Sequence, residues 1–177
     1  MGQRQRNSLI LVGMPGAGKS TVGLLLAKEL VKDFVDTDLL IQSKADMSLQ
    51  DIIQERGYQQ LRKLEEEVLL QAEFSNHIVA TGGSVVYSDV GMRHLNRFGR
   101  VVFLDVPLEV LKTRLHNYTT RGIAAPAEQS LEELFEERRA LYERYADMVV
   151  SCNNKPQHQV MEDIIYTEGE QFAEMDA

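Results

Sequence analysis

The sequence predicts an α/β fold in three layers, with a five-stranded, mostly parallel sheet flanked by helices on both sides. Five short runs rich in apolar and β-branched residues recur along the chain, at Leu9–Val12, Phe34–Asp36, Ile78–Ala80, Val101–Val106 and Met148–Ser151. Several are continuous rather than alternating, as befits strands covered on both faces. Helix-length amphipathic stretches separate them, and strand–helix alternation implies parallel strands joined by helical crossovers. At 177 residues the chain is long enough for one well-filled core and short for two, so a single domain over 1–177 is expected.

The first strand runs into Gly13-Met14-Pro15-Gly16-Ala17-Gly18-Lys19-Ser20, which matches G-x-x-x-x-G-K-[ST] at every fixed position. A helix through Thr21 to Leu30 follows. A glycine-rich turn before an ordinary helix is the plain alternative, but strand, loop, Lys-Ser pair and helix stand in the order a phosphate cradle needs. Glycines let successive N–H groups turn inward around an anion, and the helix start adds its positive dipole end. Lys19 then neutralises the outer phosphates, and the Ser20 hydroxyl is placed to ligate Mg²⁺. The expected nucleotide contacts are Gly13, Gly16, Ala17, Gly18, Lys19, Ser20 and Thr21, and the expected cofactors are ATP and Mg²⁺.

The second strand ends in Asp36-Thr37-Asp38. Ligands of open parallel sheets bind beyond the carboxyl ends of the strands, which would bring these carboxylates to the phosphate loop. Asp36 would hold a water of the Mg²⁺ shell, and Asp38 would orient an acceptor hydroxyl or take its proton. A pair of turn-forming Asp residues fits equally well. Next, Ser48-Leu49-Gln50-Asp51 opens a helix with a cap of the capping-box kind. Arg62 lies on the flank of the following helix, near Leu61, Leu64 and Val68, where spacing alone suggests a surface ion pair with Glu65 or Glu66. Gly82-Gly83, after the third strand, would let backbone amides approach a ligand, although a plain turn has the same composition.

Residues 117–129 hold Gly122, Pro126 and several alanines without periodicity, and so predict a mobile lid. An arginine there, Arg121, would clamp a transferring phosphoryl group or simply be solvated. Ser130-Leu131-Glu132-Glu133 is a closer capping-box match and starts a helix to Tyr145. Its apolar stripe is Leu131, Leu134, Phe135, Leu141, Tyr142 and Tyr145. Arg138 falls in the middle of that stripe and Arg139 at its edge. An inward guanidinium needs a partner, either an internal carboxylate or an anionic substrate held in a bidentate fork.

Composition narrows the function classes. Lys plus Arg total 19 against 27 Asp plus Glu, a net charge of −8, which speaks against a nucleic-acid surface. The lone Cys152 permits no intrachain disulfide and reads as a small buried residue. The four histidines are scattered without ligand spacing, so no metal site beyond Mg²⁺ is expected. The basic start lacks a signal-length apolar core, Arg6 stands where a myristoylation motif needs Ser or Thr, and no run approaches a membrane span. A cytoplasmic protein without membrane or nucleic-acid partners is expected, with a monomer favoured. The acidic end, about 166–177, is expected to fray.

Together these residues resemble the shikimate kinase family, of the nucleoside-monophosphate-kinase-like P-loop fold, over about residues 8–157. The matching pieces, in order, are the P-loop, Asp36-Thr37-Asp38, Leu61-Arg62-Lys63-Leu64-Glu65-Glu66, Thr81-Gly82-Gly83-Ser84, Arg121 and Arg138-Arg139-Ala140-Leu141-Tyr142. The resemblance implies that Asp38, Arg62, Arg138 and the Gly82-Gly83 amides bind the acceptor, the two arginines taking its carboxylate and Asp38 its ring hydroxyls. It also implies that Arg114 and Pro156 flank adenine. In catalysis it gives roles to Lys19, Asp38 and Arg121. Ser84 replaces the usual third glycine, and Arg121-Gly122-Ile123-Ala124 replaces the usual Arg-Pro-Leu-Leu. Gly122 makes the lid softer than a proline would, and Ile123 and Ala124 reshape the surface that closes. The implied activity is γ-phosphoryl transfer from MgATP to a hydroxyl of shikimate, a small carboxylated polyol. A kinase for another hydroxy acid, a polyol such as gluconate or a nucleoside monophosphate is one alternative, and a nucleotide-binding module without turnover is another.

Overall fold

In the computed structural model, residues 6–115 and 122–175 are described. The chain runs β1 (Ser8–Val12), α1 (Lys19–Leu30), β2 (Asp33–Asp36), α2 (Thr37–Ala45), α3 (Leu49–Arg56), α4 (Tyr58–Gln71) and β3 (His77–Ala80). A 3-10 turn at Val85–Tyr87 leads to α5 (Asp89–Asn96), β4 (Gly99–Asp105), α6 (Leu108–Arg114), α7 (Leu131–Tyr145), β5 (Met148–Ser151) and α8 (Gln157–Met175). All five predicted strands form. The fourth starts two residues earlier and ends one earlier than the apolar run suggests, because pairing with β1 extends back to Ser8↔Gly99. The acidic end continues α8 as far as Met175 rather than leaving the helix at 166.

The sheet is parallel, in the order β2-β3-β1-β4-β5. Right-handed crossovers then dictate the layers. The β1→β2 step runs toward one sheet edge, and β3→β4 and β4→β5 run toward the other. Equal handedness therefore puts α1 on one face and α5 and α7 on the opposite one. Helix α8 packs on α1, whereas α5 packs on β4 and α4. Ile10, Leu11, Val12, Val79 and Val102 lie between the helical layers with 0% exposure, which is why their runs carry no polar alternation.

The direction of the connections reverses between β1 and β3, and the crevice above that switch point is where an open α/β sheet takes a ligand. Helices α2, α3 and α4 close one side of it around a small core of their own, built on Ile41, Ile52, Leu61 and Val68. Ala124, from the second half of the predicted lid, packs into that core. The caps hold as the sequence suggests: Ser48 accepts from the Asp51 amide, and Ser130 with Glu133 forms the reciprocal box. Among the described residues no helix is long and apolar enough to cross a membrane.

Candidate active site

A cleft of about 420 Å³ opens at the carboxyl ends of the strands, lined by residues of the P-loop, Asp38, Glu65, Gly82-Gly83-Ser84, Arg114, Ala124 and Arg138. At its phosphate end the loop turns through Gly16 and Gly18 at φ 80° and 95°, with Gly18 capping α1. The Ala17 amide is tied to the Met14 carbonyl at 3.0 Å, and Thr21 lines the rim. Lys19 is 9% exposed and donates to the carbonyls of Gly13 and Met14 at 2.7 and 3.0 Å. Burial lowers its pKa to about 8, against the opposing pull of Asp38.

Asp36 does two things at once. One oxygen caps α2 by accepting from the Asp38 amide at 3.0 Å, and the other accepts from the Ser20 hydroxyl at 2.6 Å. Ser20 and Asp36, predicted from separate motifs, thus present adjacent oxygens beside the phosphate cradle. One hydroxyl and one carboxylate suit a hard cation such as Mg²⁺, which binds few protein ligands and takes the rest from phosphates and water. No cluster of three or more His, Cys, Asp or Glu residues suited to a metal occurs among the described residues.

At the other end Asp38 and Glu65 face each other across Gly82. A Cβ at Gly82 would lie well inside contact distance of Glu65 Oε1 and 2.8 Å from Asp38 Oδ1, so any side chain there would displace the two carboxylates. The Gly82 amide is held by the Thr37 hydroxyl at 3.0 Å. Burial raises the Asp38 pKa, helped by Asp36 and opposed by Lys19. Glu65 is 4% exposed. Burial pushes its pKa up to about 7, against the Ser84 hydroxyl that donates to Oε2. Its second oxygen, Oε1, has no hydrogen-bond partner among the described residues.

Arg138, predicted to point inward, is 1% exposed, whereas Arg139 reaches the surface pair Asp105 and Glu143. No carboxylate pairs with Arg138 or Arg62 among the described residues. Both instead donate to one atom, the carbonyl oxygen of Ala124: Arg62 at 3.2 and 2.9 Å, Arg138 at 2.9 Å. This overturns the surface ion pair that spacing suggested for Arg62, because Glu65 is turned inward to Ser84 and Glu66 is taken by Ser88.

At the remaining positions, Arg114 ends α6 and donates to the Gly16 carbonyl at 3.1 Å, which puts it at the nucleotide side of the cleft. Pro156 stands just before α8, where its carbonyl accepts from the Gln159 amide. Its neighbour Gln157 lines the cleft. Arg121, with residues 116–120, lies outside the described residues.

The P-loop, the Asp38 and Glu65 carboxylates and Arg138 thus line one cleft, and Arg62 meets Arg138 at the Ala124 carbonyl. The family model described as shikimate kinase matches residues 15–167. The chain belongs to the shikimate kinase family. It is 34% identical over 161 residues to a shikimate kinase of Caldanaerobacter subterraneus, covering 89% of this chain and 94% of that one. The shikimate kinase of Rippkaea orientalis is 36% identical over 162 residues, covering 89% and 86%. Among solved structures, a shikimate kinase of Acinetobacter baumannii in complex with shikimate superposes with a TM-score of 0.85 at 28% identity, over 95% and 96% of the two chains.

Four features of this family member escaped sequence reasoning. Glu65 looked like a surface charge, yet it sits four residues after Leu61 and three before Val68, on the apolar stripe of α4, and that position was a readable signal. Tyr87 had no signal, since a 3-10 turn has no long period. The Ala124 carbonyl is a backbone atom and leaves no trace in side-chain pattern. Gln157 lines the cleft from the first turn of α8, a position with no motif of its own.

Proposed function

We propose that this shikimate kinase family member transfers the γ-phosphoryl group of MgATP to a ring hydroxyl of shikimate. One observation carries the reading: a P-loop with its lysine shares one cleft with the buried Arg138, and Arg62, from the adjoining pocket, donates to the same Ala124 carbonyl as Arg138. A neutral sugar gives two inward arginines nothing to bind, whereas a carboxylate matches their forked donors.

In this reading the P-loop amides from Gly13 to Thr21 hold the phosphates, and Lys19 leaves its two carbonyl partners for the transferring group. Arg114 and Pro156 border the adenine. Ser20 and Asp36 would hold Mg²⁺, which would supply neutralisation of phosphoryl charge when bound with the nucleotide. Asp38 and the Gly82-Gly83 turn orient the acceptor, the Gly82 amide itself being taken by the Thr37 hydroxyl, and Asp38 takes the hydroxyl proton, a task its raised pKa favours. Arg62 and Arg138 fix the carboxylate, and Arg121 from the lid meets the phosphoryl group. Closure of the lid, about 117–129, excludes water and suppresses idle hydrolysis. One domain over 1–177, acting as a monomer in the cytoplasm without nucleic-acid or membrane partners, completes the proposal. The continuous core of the sheet and the buried Cys152 support it.

The test is a coupled ADP-release assay with MgATP and shikimate, beside gluconate, other hydroxy acids and nucleoside monophosphates. Saturable turnover with shikimate that disappears in Lys19→Met is expected. Turnover with another acceptor and none with shikimate would leave the phosphate machinery standing and overturn the acceptor.

A further inference from the structure

Two cations that share one carbonyl oxygen repel each other, and something must hold them in place. The groups around them are few. The Ala124 carbonyl supplies one acceptor. Tyr58 lies under Arg62, its ring centroid 5.1 Å from the guanidinium carbon, the charge of Glu65 acts on Arg138, and Tyr87 meets both cations. The guanidinium carbon of Arg62 lies over the Tyr87 ring, 3.6 Å from its centroid, and that of Arg138 lies 5.4 Å away. Arg138 Nε also donates to the Tyr87 hydroxyl at 3.4 Å. That hydroxyl in turn donates to Glu137 at 2.5 Å, whose other oxygen accepts from Gln129 at 2.7 Å.

The ring is itself immobilised from both sides. Val85 and Val86, before it in the 3-10 turn, are buried in the main core at 1% and 2% exposure. The Tyr87 amide donates to the Ser84 carbonyl at 3.0 Å. The residue after it, Ser88, caps α5 and is bonded to Glu66 on α4. With its neighbours at 85, 86 and 88 held, the Tyr87 side chain is placed against both arginines.

We infer that Tyr87 is a positioning residue for the acceptor carboxylate, its ring and hydroxyl setting the angle and spacing of the Arg62 and Arg138 guanidiniums. The ring face attracts both cations and so reduces their mutual repulsion. A planar guanidinium stacked on a fixed ring keeps its forked donors in one plane, which is the geometry a bidentate carboxylate needs. The hydroxyl sets the height of Arg138 above that plane. Tyr87 lies outside the lining of the P-loop cleft, in the adjoining pocket with Arg62, so its effect belongs to acceptor binding.

The inference rests on the acceptor carrying a carboxylate, and the experiment separates its failure from the failure of that reading. Initial rates are measured at saturating MgATP with shikimate, and with the compound in which its carboxylate is replaced by a primary carboxamide. Wild type, Tyr87→Phe and Tyr87→Leu are compared. For Tyr87→Leu the KM for shikimate is expected to rise about tenfold, the magnitude of a lost stack between desolvated partners. The KM for ATP should hold within about twofold, and the KM for the carboxamide should move little, so that discrimination between the two acceptors shrinks. Tyr87→Phe, which keeps the ring, should recover most of the loss. Equal effects on both acceptors, or a loss confined to kcat and the ATP KM, would overturn the role. If Tyr87→Leu does not fold, Tyr87→Met fills the volume without a π face and is read in the same way. A wild type that turns over no shikimate would fail the acceptor reading instead. Calorimetric binding of the acid and the amide to wild type and variants would then decide the role of Tyr87.

Discussion

The buried Glu65 makes the stability of this protein depend on pH in a direction opposite to that of most carboxylates. Its pKa lies at about 7 against 4.5 in an unstructured chain, chiefly because burial disfavours the charge. Between those values the folded protein holds a proton that the unfolded chain has released. Stability therefore falls as pH rises from 4.5 to about 7, and the whole deficit is present above 7. Moving a carboxyl over that interval is worth about 3 kcal/mol. The groups facing Glu65 are Asp38 from α2, Lys19 from α1, Arg138 from α7 and the Ser84 hydroxyl, and their pulls are already contained in the shift. Glu65→Gln keeps an acceptor for Ser84 and removes the titration. Thermal unfolding of wild type and Glu65→Gln, without ligands, is measured at pH 5 and pH 8. At pH 5 the two should differ by about 1 kcal/mol or less, the cost of rearranging one buried hydrogen bond. At pH 8 the variant should gain about 3 kcal/mol relative to that, roughly 6–12 °C in Tm for a chain of this size. Parallel profiles from pH 5 to pH 8 would refute the reasoning. They would mean that Glu65 is ionised throughout and fully compensated by Arg138 and Lys19.

Lys19 titrates in the other sense: with its pKa lowered to about 8, roughly half the chains carry it neutral at pH 8, and nucleotide phosphates should restore the proton. Calorimetry of ADP binding in buffers of different ionisation heat should show uptake of about half a proton at pH 8, little at pH 6.5 and none assignable to this group in Lys19→Met; equal uptake in the variant would refute the assignment. Gly122 has φ +68°, and a Cβ there would stand 2.9 Å from the Gln50 amide nitrogen. Gly122→Ala should cost about 1–2 kcal/mol of stability. It should also raise the acceptor KM by shifting Ala124, both readable by thermal unfolding and the ADP-release assay.

The parts legible in the sequence are those whose physics is periodic or whose geometry needs particular residues. Parallel strands buried on both faces must be continuously apolar, so β1 and β4 announce themselves. A phosphate-wrapping loop needs glycines and Lys-Ser at fixed spacing. Arg138 was readable because a charge at the centre of an apolar helical stripe is an anomaly with a short list of causes. The same rule, applied to α4, would have found Glu65. Two competing cues hid it, since Arg62 three residues earlier offered an easy surface partner and the neighbouring Glu66 and Glu67 made the segment look solvated. Arg62 could be placed only through family resemblance, because the atom it binds is a backbone carbonyl 62 residues away. Nothing local encodes that contact. It arises when the lid root packs Ala124 into the small core of α2, α3 and α4.

The two ends of the cleft differ in how they are satisfied. At the phosphate end every charged group has a partner within the chain: Lys19 on two carbonyls, Asp36 on the Ser20 hydroxyl and the Asp38 amide. At the acceptor end Glu65 Oε1 has none among the described residues, and two guanidiniums share one neutral carbonyl, with only the Tyr87 hydroxyl as a further acceptor for Arg138. A buried unpaired oxygen costs about 1–3 kcal/mol, and cations without a counter-charge cost more. A fold bears such costs where other packing offsets them, and here the core of the parallel sheet lies directly beneath. The cost falls if a ligand supplies what is missing, a hydroxyl donor for Glu65 and a negative charge for the arginines. A small molecule with hydroxyls and a carboxylate on one ring supplies both together. A nucleoside monophosphate would bring a dianion to the arginines, and its uncharged base would have to serve Glu65. The distribution of unmet demand within the cleft, more than the presence of any single residue, is what selects a hydroxylated acid over the other acceptors of this fold.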